Sequence, residues 1–381
     1  VRVDGAWRRR AGTQAVCAAL TVAGYRALFV GGCVRNALLG AEVADVDIAT
    51  DALPETVTEL AEKAGLKVVP TGIDHGTVTV VSGGIPHEVT TFRHDIDTDG
   101  RHATVSYTTD PAEDAARRDF TMNALYATPE GEVIDPLGGL DDLRARRVRF
   151  VGCAEERIRE DYLRILRFFR FHAWYGDPSE GLDPEGLAAC AENLDGLARL
   201  SKERIGAEMR KLLSAPDPAT AVGPMHVIGV LSAILPGADP LALGPLLHLE
   251  GDRPPRFLRR LAVLGGREEA DALRLSRVES RDLGRVRDEI GGTAGAGELG
   301  YRLGATLAED VILCRAALLE SPLPGGWRSD IARGAAAVLP VRAADLPDLQ
   351  GPEIGAALRR IEARWIASGF TLDRDALLGD G

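Results

Sequence analysis

Asp45-Val46-Asp47 places two carboxylates one residue apart, inside the run Val43–Ala49, which alternates apolar and polar residues. That alternation has the period of a strand, and residues i and i+2 of a strand share a face, so both carboxylates are expected to project together. No histidine or cysteine lies near them in sequence, which leaves an all-oxygen donor set suited to a hard cation such as Mg²⁺. Ions held there would activate an attacking hydroxyl and stabilise a departing pyrophosphate in an in-line displacement. A lone Asp-x-Asp is more often a solvated loop, so its surroundings must decide. Upstream, Val30-Gly31-Gly32-Cys33-Val34-Arg35-Asn36 sets a glycine turn between an apolar run and a helical one. Such a turn lets backbone N–H groups approach a phosphate, and the helix start favours an anion. Arg35 is placed to grip a triphosphate. Glu88, on a later strand-like segment, is a candidate third carboxylate or, equally, an exposed strand residue.

The elements that would position these groups are a mixed α/β region over residues 1–140. A helix pattern covers Thr13–Ala23, followed by the apolar run Ala27–Val30, a helix at Val34–Leu39 and a strand at Val43–Ala49. Pro54–Ala64 reads as a helix capped by Asp51. Thr77–Val81 and Ile85–Phe92 read as strands of a hairpin turned at Ser82-Gly83-Gly84. The polar stretch Ile96–Thr104 reads as a mobile loop. Beyond Leu140 strand signals nearly vanish: Glu155–Trp174 predicts one long helix, and Lys202–Leu213 another with Ser201 as its cap. The remainder is an Ala/Leu/Arg helix pattern broken by proline and glycine. The expected fold class is α+β, a head with a mixed sheet (1–140) followed by an all-α neck (141–213) and an all-α body and tail (214–381).

Composition bounds the possibilities. Of 381 residues, 45% are hydrophobic and 27% charged, as in an ordinary globular protein. No apolar run approaches the roughly 18 residues a membrane helix needs. Basic residues before Ala15–Ala23 faintly resemble a leader, but the segment reads better as an amphipathic helix. Five widely spaced cysteines without a CxxC argue for a reducing, cytoplasmic setting and against a zinc site or disulfide framework. A net charge of −12 is unfavourable for phosphate contacts over the whole surface. Yet Asp141–Arg170 holds nine arginines against six carboxylates, a local basic stripe. A general bias toward arginine explains most of those positions equally well.

Taken in order, the motifs resemble class II tRNA nucleotidyltransferases and the related bacterial poly(A) polymerases. The likeness runs through Gly31-Gly32-x-Val34-Arg35, Asp45-x-Asp47, Phe92-Arg93-x-Asp95, Asp99-Gly100-Arg101, Arg117-Arg118-Asp119-Phe120-Thr121-Met122-Asn123 and Asp135-Pro136-x-Gly138-Gly139. It continues in Glu160-Asp161-x-x-Arg164-x-x-Arg167-x-x-Arg170 and Leu200-Ser201-Lys202-Glu203-Arg204-Ile205. The resemblance implies a polymerase-β-like head, a nucleotide-reading neck and a helical RNA-binding body and tail. It implies Mg²⁺ on Asp45 and Asp47, nucleotide contacts from Gly32, Arg35, Arg118, Asp119 and Asn123, and ordered addition of C, C and A to a tRNA 3′ end from CTP and ATP. Asn36 departs from the family's usual Asp, so a salt bridge at the helix start is expected to be missing. Thr71–Thr77 resembles the CCA-adding version of that segment and lacks the basic stretch usual in poly(A) polymerases. No metal-phosphohydrolase domain is expected after residue 200.

In the neck, Glu160, Asp161 and Arg164 are helix-face neighbours, and Arg167 and Arg170 follow at three-residue steps. A solvated ion-pair ladder fits the same pattern. As a base reader, Asp161 would accept from the exocyclic amine of C or A while Arg164 donates to the ring nitrogen. U and G would oppose donor to donor and carbonyl to carboxylate, at about 1–3 kcal/mol per unsatisfied group. Glu160 would support the pair, Arg167 and Arg170 would stack on the base or bind phosphate, and the Arg93–His102 segment would act as the lever between C and A. The alternatives are a poly(A) polymerase, a partial A- or CC-adding enzyme, a non-catalytic RNA-binding module and a protein nucleotidylyltransferase. No membrane role and no obligate protein partner are expected.

Overall fold

The apolar run before the glycine turn becomes β1 (Leu28–Val30), with all three residues buried. It is flanked by antiparallel neighbours, β2 (Asp47–Thr50) and a later strand. Then come β3 (Lys67–Val69), β4 (Thr77–Ser82) and β5 (Ile85–Thr91), β4 and β5 forming the expected hairpin. Its turn residues Gly83 and Gly84 both have positive φ, the conformation a two-residue hairpin turn demands. The computed structural model describes residues 1–70, 72, 76–98 and 103–379. Most of Thr71–Thr77 and the tip residues 99–102 therefore lie outside it.

The two ends of the segment expected to be a mobile loop are paired strands, β6 (Arg93–Thr98) with β7 (Ala103–Tyr107), while its middle, 99–102, lies outside the described residues. Polar residues in β6 concealed the pairing, although β7 alternates apolar and polar residues, Ala103-Thr104-Val105-Ser106-Tyr107; this two-stranded sheet stands apart from the main one. Short strands β8 (Tyr126–Ala127) and β9 (Val133–Ile134) complete a seven-stranded mixed sheet in the order β3-β4-β5-β2-β1-β8-β9. The helix Ala11–Thr21 buries Thr13, Val16, Cys17 and Leu20, one amphipathic stripe, and Thr13 reaches His87 of β5 at 2.9 Å.

Three local expectations need correction. The helix Pro54–Lys63 has Leu53 at its N-cap, and Asp51 accepts the Arg26 N–H at 2.7 Å instead of capping it. Strand β2 starts at Asp47, so Asp45 lies in the exposed approach to it; pairing with β1 reaches no further than Phe29↔Ile48. The long neck helix is two, Ala154–Glu160 and Leu163–Tyr175, because Asp161 is extended (φ −152°, ψ 104°) and its carboxylate takes the Leu163 N–H at 3.1 Å. Lys202–Leu213 is helical as expected, and Ser201 Oγ accepts from Arg204 N–H.

Val1–Glu208 with Thr220–Ile234 forms one compact unit, and Met209–Ala219 with Leu235–Gly381 forms another. Phenylalanines bind the neck to the head within the first: Phe120 lies 5.0 Å from both Phe150 and Phe171 between ring centroids. Only helices, short 3₁₀ turns and loops occur among the described residues of the second unit. The arginine-bearing helix Pro352–Ala367 buries Ala357, Ile361 and Trp365, and Trp365 packs on Tyr301 and Phe370, so amphipathic packing accounts for its tryptophan.

Beneath the second unit's surface sits a charge cluster. Glu250, 2% exposed, accepts from Arg259 Nε at 2.7 Å and from Arg260 at 2.7 Å. Arg260 also donates to the carbonyls of Leu213 and Ala215. Removing one partner of a buried ion pair leaves charge uncompensated. Glu250→Ala is therefore expected to destabilise this unit by about 3–5 kcal/mol, read as a lowered urea midpoint by circular dichroism.

Candidate active site

Gly31 opens the site. Its φ of 69° and ψ of −120° exclude side-chain-bearing residues, and it is the N-cap of the helix Gly32–Leu38. A methyl group built there would come within 3.6 Å of the Arg118 guanidinium. The helix begins with N–H groups that have no intrahelical acceptor, directed toward the same space.

Asp47 and Glu88 are register partners on the parallel strands β2 and β5, so their side chains share a face. Burial pushes the Asp47 carboxyl up to about 6; Glu88 and Asp45 add repulsion, and Arg118 partly offsets it. Asp45 and Glu88 thus both act on Asp47, and the Arg118 guanidinium acts on Asp47 and reaches the glycine turn. No trio of carboxylate, histidine or cysteine side chains is drawn into a ready ligand cluster among the described residues. The all-oxygen donor set and the mutual repulsion nevertheless suit a divalent cation, which would relieve both.

Arg118 is anchored from behind. Asp114, 1% exposed, accepts from Arg118 at 3.0 Å, Arg117 at 2.8 Å and the Tyr126 hydroxyl at 2.7 Å. Burial acts to raise the Asp114 pKa, but Arg118 and Arg117 bring it down to about 2. Asp119 likewise accepts from Arg167 Nε at 2.8 Å, Asn123 at 2.9 Å and its neighbour's N–H, and sits at about 2.

Arg35 is different. It is 7% exposed, and its donors go to Asn123 Oδ1 at 2.5 Å, Asn36 Oδ1 at 2.9 and 3.1 Å, and the Tyr175 hydroxyl at 2.8 Å. Its guanidinium also lies 4.0 Å from the Tyr175 ring centroid. All of these acceptors are neutral, and no ion pair of Arg35 with a carboxylate occurs among the described residues. Burial accordingly lowers its pKa. Asn36, where the resemblance led to an aspartate, holds the guanidinium without neutralising it.

Arg164, Arg167 and Arg170 of the neck are each compensated by a carboxylate. Arg164 pairs with Glu160 at 2.6 Å and donates to the Arg157 and Arg117 carbonyls. Arg170 pairs with Glu208 at 2.6 Å, and Arg167 with Asp119. Asp161 pairs with Arg204 at 2.6 Å, so Asp161 and Arg164 face one another through other partners and not directly. Sequence reasoning assigned no role to Asp114, Tyr126, Tyr175 and Glu208. None lies at a telling spacing, although Tyr175 ends the run of arginine-bearing helix and Asp114 precedes Arg117-Arg118 by one turn.

With this geometry established, its relatives can be considered. A family described as "Poly A polymerase head domain" matches residues 27–149, and "Probable RNA and SrmB- binding site of polymerase A" matches 181–241. The mouse protein named CCA tRNA nucleotidyltransferase 1, mitochondrial is 34% identical over 366 residues, 91% of this chain and 84% of that one. The CCA-adding enzyme of Geobacillus stearothermophilus is 37% identical over 338 residues, covering 84% of this chain and 80% of its own. The human enzyme matches at 46%, but over only 48% of this chain and 42% of its own length. A crystal structure of the Bacillus stearothermophilus CCA-adding enzyme in complex with CTP superposes with a TM-score of 0.72 at 31% identity, covering 94% of this chain and 92% of that one. The mixed-sheet head with its helical continuation is a nucleotidyltransferase fold, and the chain belongs to the CCA-adding tRNA nucleotidyltransferase family.

The depressed Asp114 pKa makes a signed prediction. With a folded value of about 2 against 3.8 when unperturbed, Asp114 contributes stability that is complete above pH 4 and lost as pH falls through 2. That contribution is roughly 2 kcal/mol. Urea midpoints measured from pH 5 to pH 2 are expected to fall less steeply in Asp114→Asn than in the wild type.

Proposed function

We propose that this chain adds C, C and A to the 3′ end of tRNA from CTP and ATP, without a nucleic-acid template, releasing pyrophosphate. The observation that carries the reading is the meeting of opposite charges at one site: the mutually repelling carboxylates around Asp47, and the Arg118 guanidinium that acts on Asp47 and reaches the glycine turn at Gly31. A nucleoside triphosphate with its metal satisfies both. The named activity of the relatives and the CTP complex support the same conclusion.

Arg35, Arg118 and the amides after Gly31, Gly32 included, would hold the triphosphate, with Asn123 and Asp119 fixing Arg35 and Arg167 around the nucleotide. Asp45 and Asp47 would hold Mg²⁺, with Glu88 the third carboxylate. Bound there, the ion would activate the RNA 3′-hydroxyl and neutralise charge on the leaving pyrophosphate. Asp161 and Arg164 would read the base. A cytosine or adenine amino group would replace the Arg204 donor at Asp161, and a ring nitrogen would take the Arg164 N–H that Glu160 now accepts. U and G cannot make both exchanges, at about 1–3 kcal/mol for each group left unsatisfied. Arg167 and Arg170 would support the base through stacking or phosphate contact. Residues 1–140 would serve as catalytic head, 141–213 as selecting neck and 214–381 as RNA-binding body and tail. The hairpin β6–β7, which contains much of the Arg93–His102 segment, is the lever proposed for the change from C to A.

No described helix is long and apolar enough to cross a membrane. We place the protein in the cytoplasm, supported by five cysteines that are all unpaired.

Given tRNA lacking its CCA end and all four nucleotides, the protein is expected to add C, C and A and then stop. Long A-only tails would reassign it as a poly(A) polymerase, and no incorporation would refute the activity. Asp47→Ala should reduce incorporation by a factor on the order of 10²–10³ or more. Arg164→Ala should lose about tenfold in discrimination against UTP and GTP while still adding nucleotides.

A further inference from the structure

The neck helix Leu163–Tyr175 ends on a residue that touches the head at its most exposed electrostatic liability. Tyr175 accepts from the Arg35 guanidinium at 2.8 Å, and its ring lies under the same group at 4.0 Å. Asn123 and Asn36 complete the set of acceptors. A guanidinium this buried ordinarily has a carboxylate, as Arg164, Arg167 and Arg170 do. Arg35 has none among its hydrogen-bond partners, and Asp119 attracts it without a hydrogen bond. Amide oxygens and a phenol hold it in place and leave the charge intact.

Resting on the triphosphate reading above, we propose that Tyr175 is a positioning residue for nucleotide binding: with Asn36 it forms a neutral cradle that fixes Arg35 for the phosphates of either CTP or ATP. The cradle acts on the triphosphate and not on the base, so its loss weakens both nucleotides alike. It also acts before the chemical step, so its effect falls on KM. Phe171, 5.2 Å from Arg35, adds a second aromatic face but no acceptor. Tyr175 is thereby the neck's hydrogen-bond link to Arg35.

The test compares wild type, Tyr175→Phe and Tyr175→Leu, using calorimetric binding of inorganic triphosphate together with KM and kcat for CTP and ATP. Losing a hydrogen bond to a charged group and a cation–π contact together predicts about a tenfold rise in KM for Tyr175→Leu, equal for CTP and ATP, with kcat within about twofold. Tyr175→Phe keeps the ring and is expected to lose about threefold. Unchanged KM and triphosphate affinity in Tyr175→Leu and Tyr175→Phe, a loss confined to kcat, or a loss for one nucleotide only would overturn the proposal. If Tyr175→Leu does not fold, Tyr175→Phe decides. Wild-type protein that adds no nucleotide to tRNA and binds no triphosphate would instead refute the functional reading itself, and the cradle with it.

Discussion

Much of this structure turns on how buried guanidinium groups are compensated. In the neck and the second unit, arginines are matched to carboxylates at hydrogen-bonding distance: Arg164 to Glu160, Arg170 to Glu208, Arg259 and Arg260 to Glu250. Leaving any of these charges unmatched in a low-dielectric interior costs several kcal/mol, so they lock their elements together. Arg35 breaks the pattern with neutral acceptors only, and Asp47 breaks it in the opposite sense by standing among like charges. Neither arrangement favours stability. Each fits the nucleotide and metal ion proposed to bind there.

The anchoring around these two residues shows how the fold supports that strain. Asp114 gathers Arg117, Arg118 and Tyr126, fixing Arg118 between the glycine turn and Asp47. Phe120 packs on Phe150 and Phe171, carrying the segment that bears Arg118, Asp119 and Asn123 against the neck helix. Apolar packing sets the distances, and buried ion pairs set the orientations. The groups proposed to bind the nucleotide are thereby held within one compact unit.

The neck illustrates where a correct motif hides a different local structure. Glu160-Asp161-x-x-Arg164 has the spacing of a continuous helix, and the helical pattern on both sides is strong. Yet Asp161 uses its side chain to take the Leu163 N–H, a familiar habit of aspartate at helix starts, and the chain breaks there. The break turns Asp161 toward Arg204, a residue more than forty positions later, which no local spacing could indicate. Likewise β6 and β7 pair with one another outside the main sheet, and Arg93-His94-Asp95 gives β6 no alternation to read, although β7 has one.

What the sequence determined by itself was the inventory and its order: the glycine turn, the acidic pair, the hairpin at Gly83-Gly84 and the change from mixed α/β to helix near Leu140. These are local matters of backbone freedom, side-chain period and residue chemistry, and they survive in any fold that accommodates them. Tertiary structure decided which charges found partners. Pairing depends on three-dimensional distance and on desolvation, and both are set only when remote segments pack. That is why Tyr175 could stand unnoticed at the end of a helix in the sequence, while the folded chain lays it against Arg35, more than a hundred residues away.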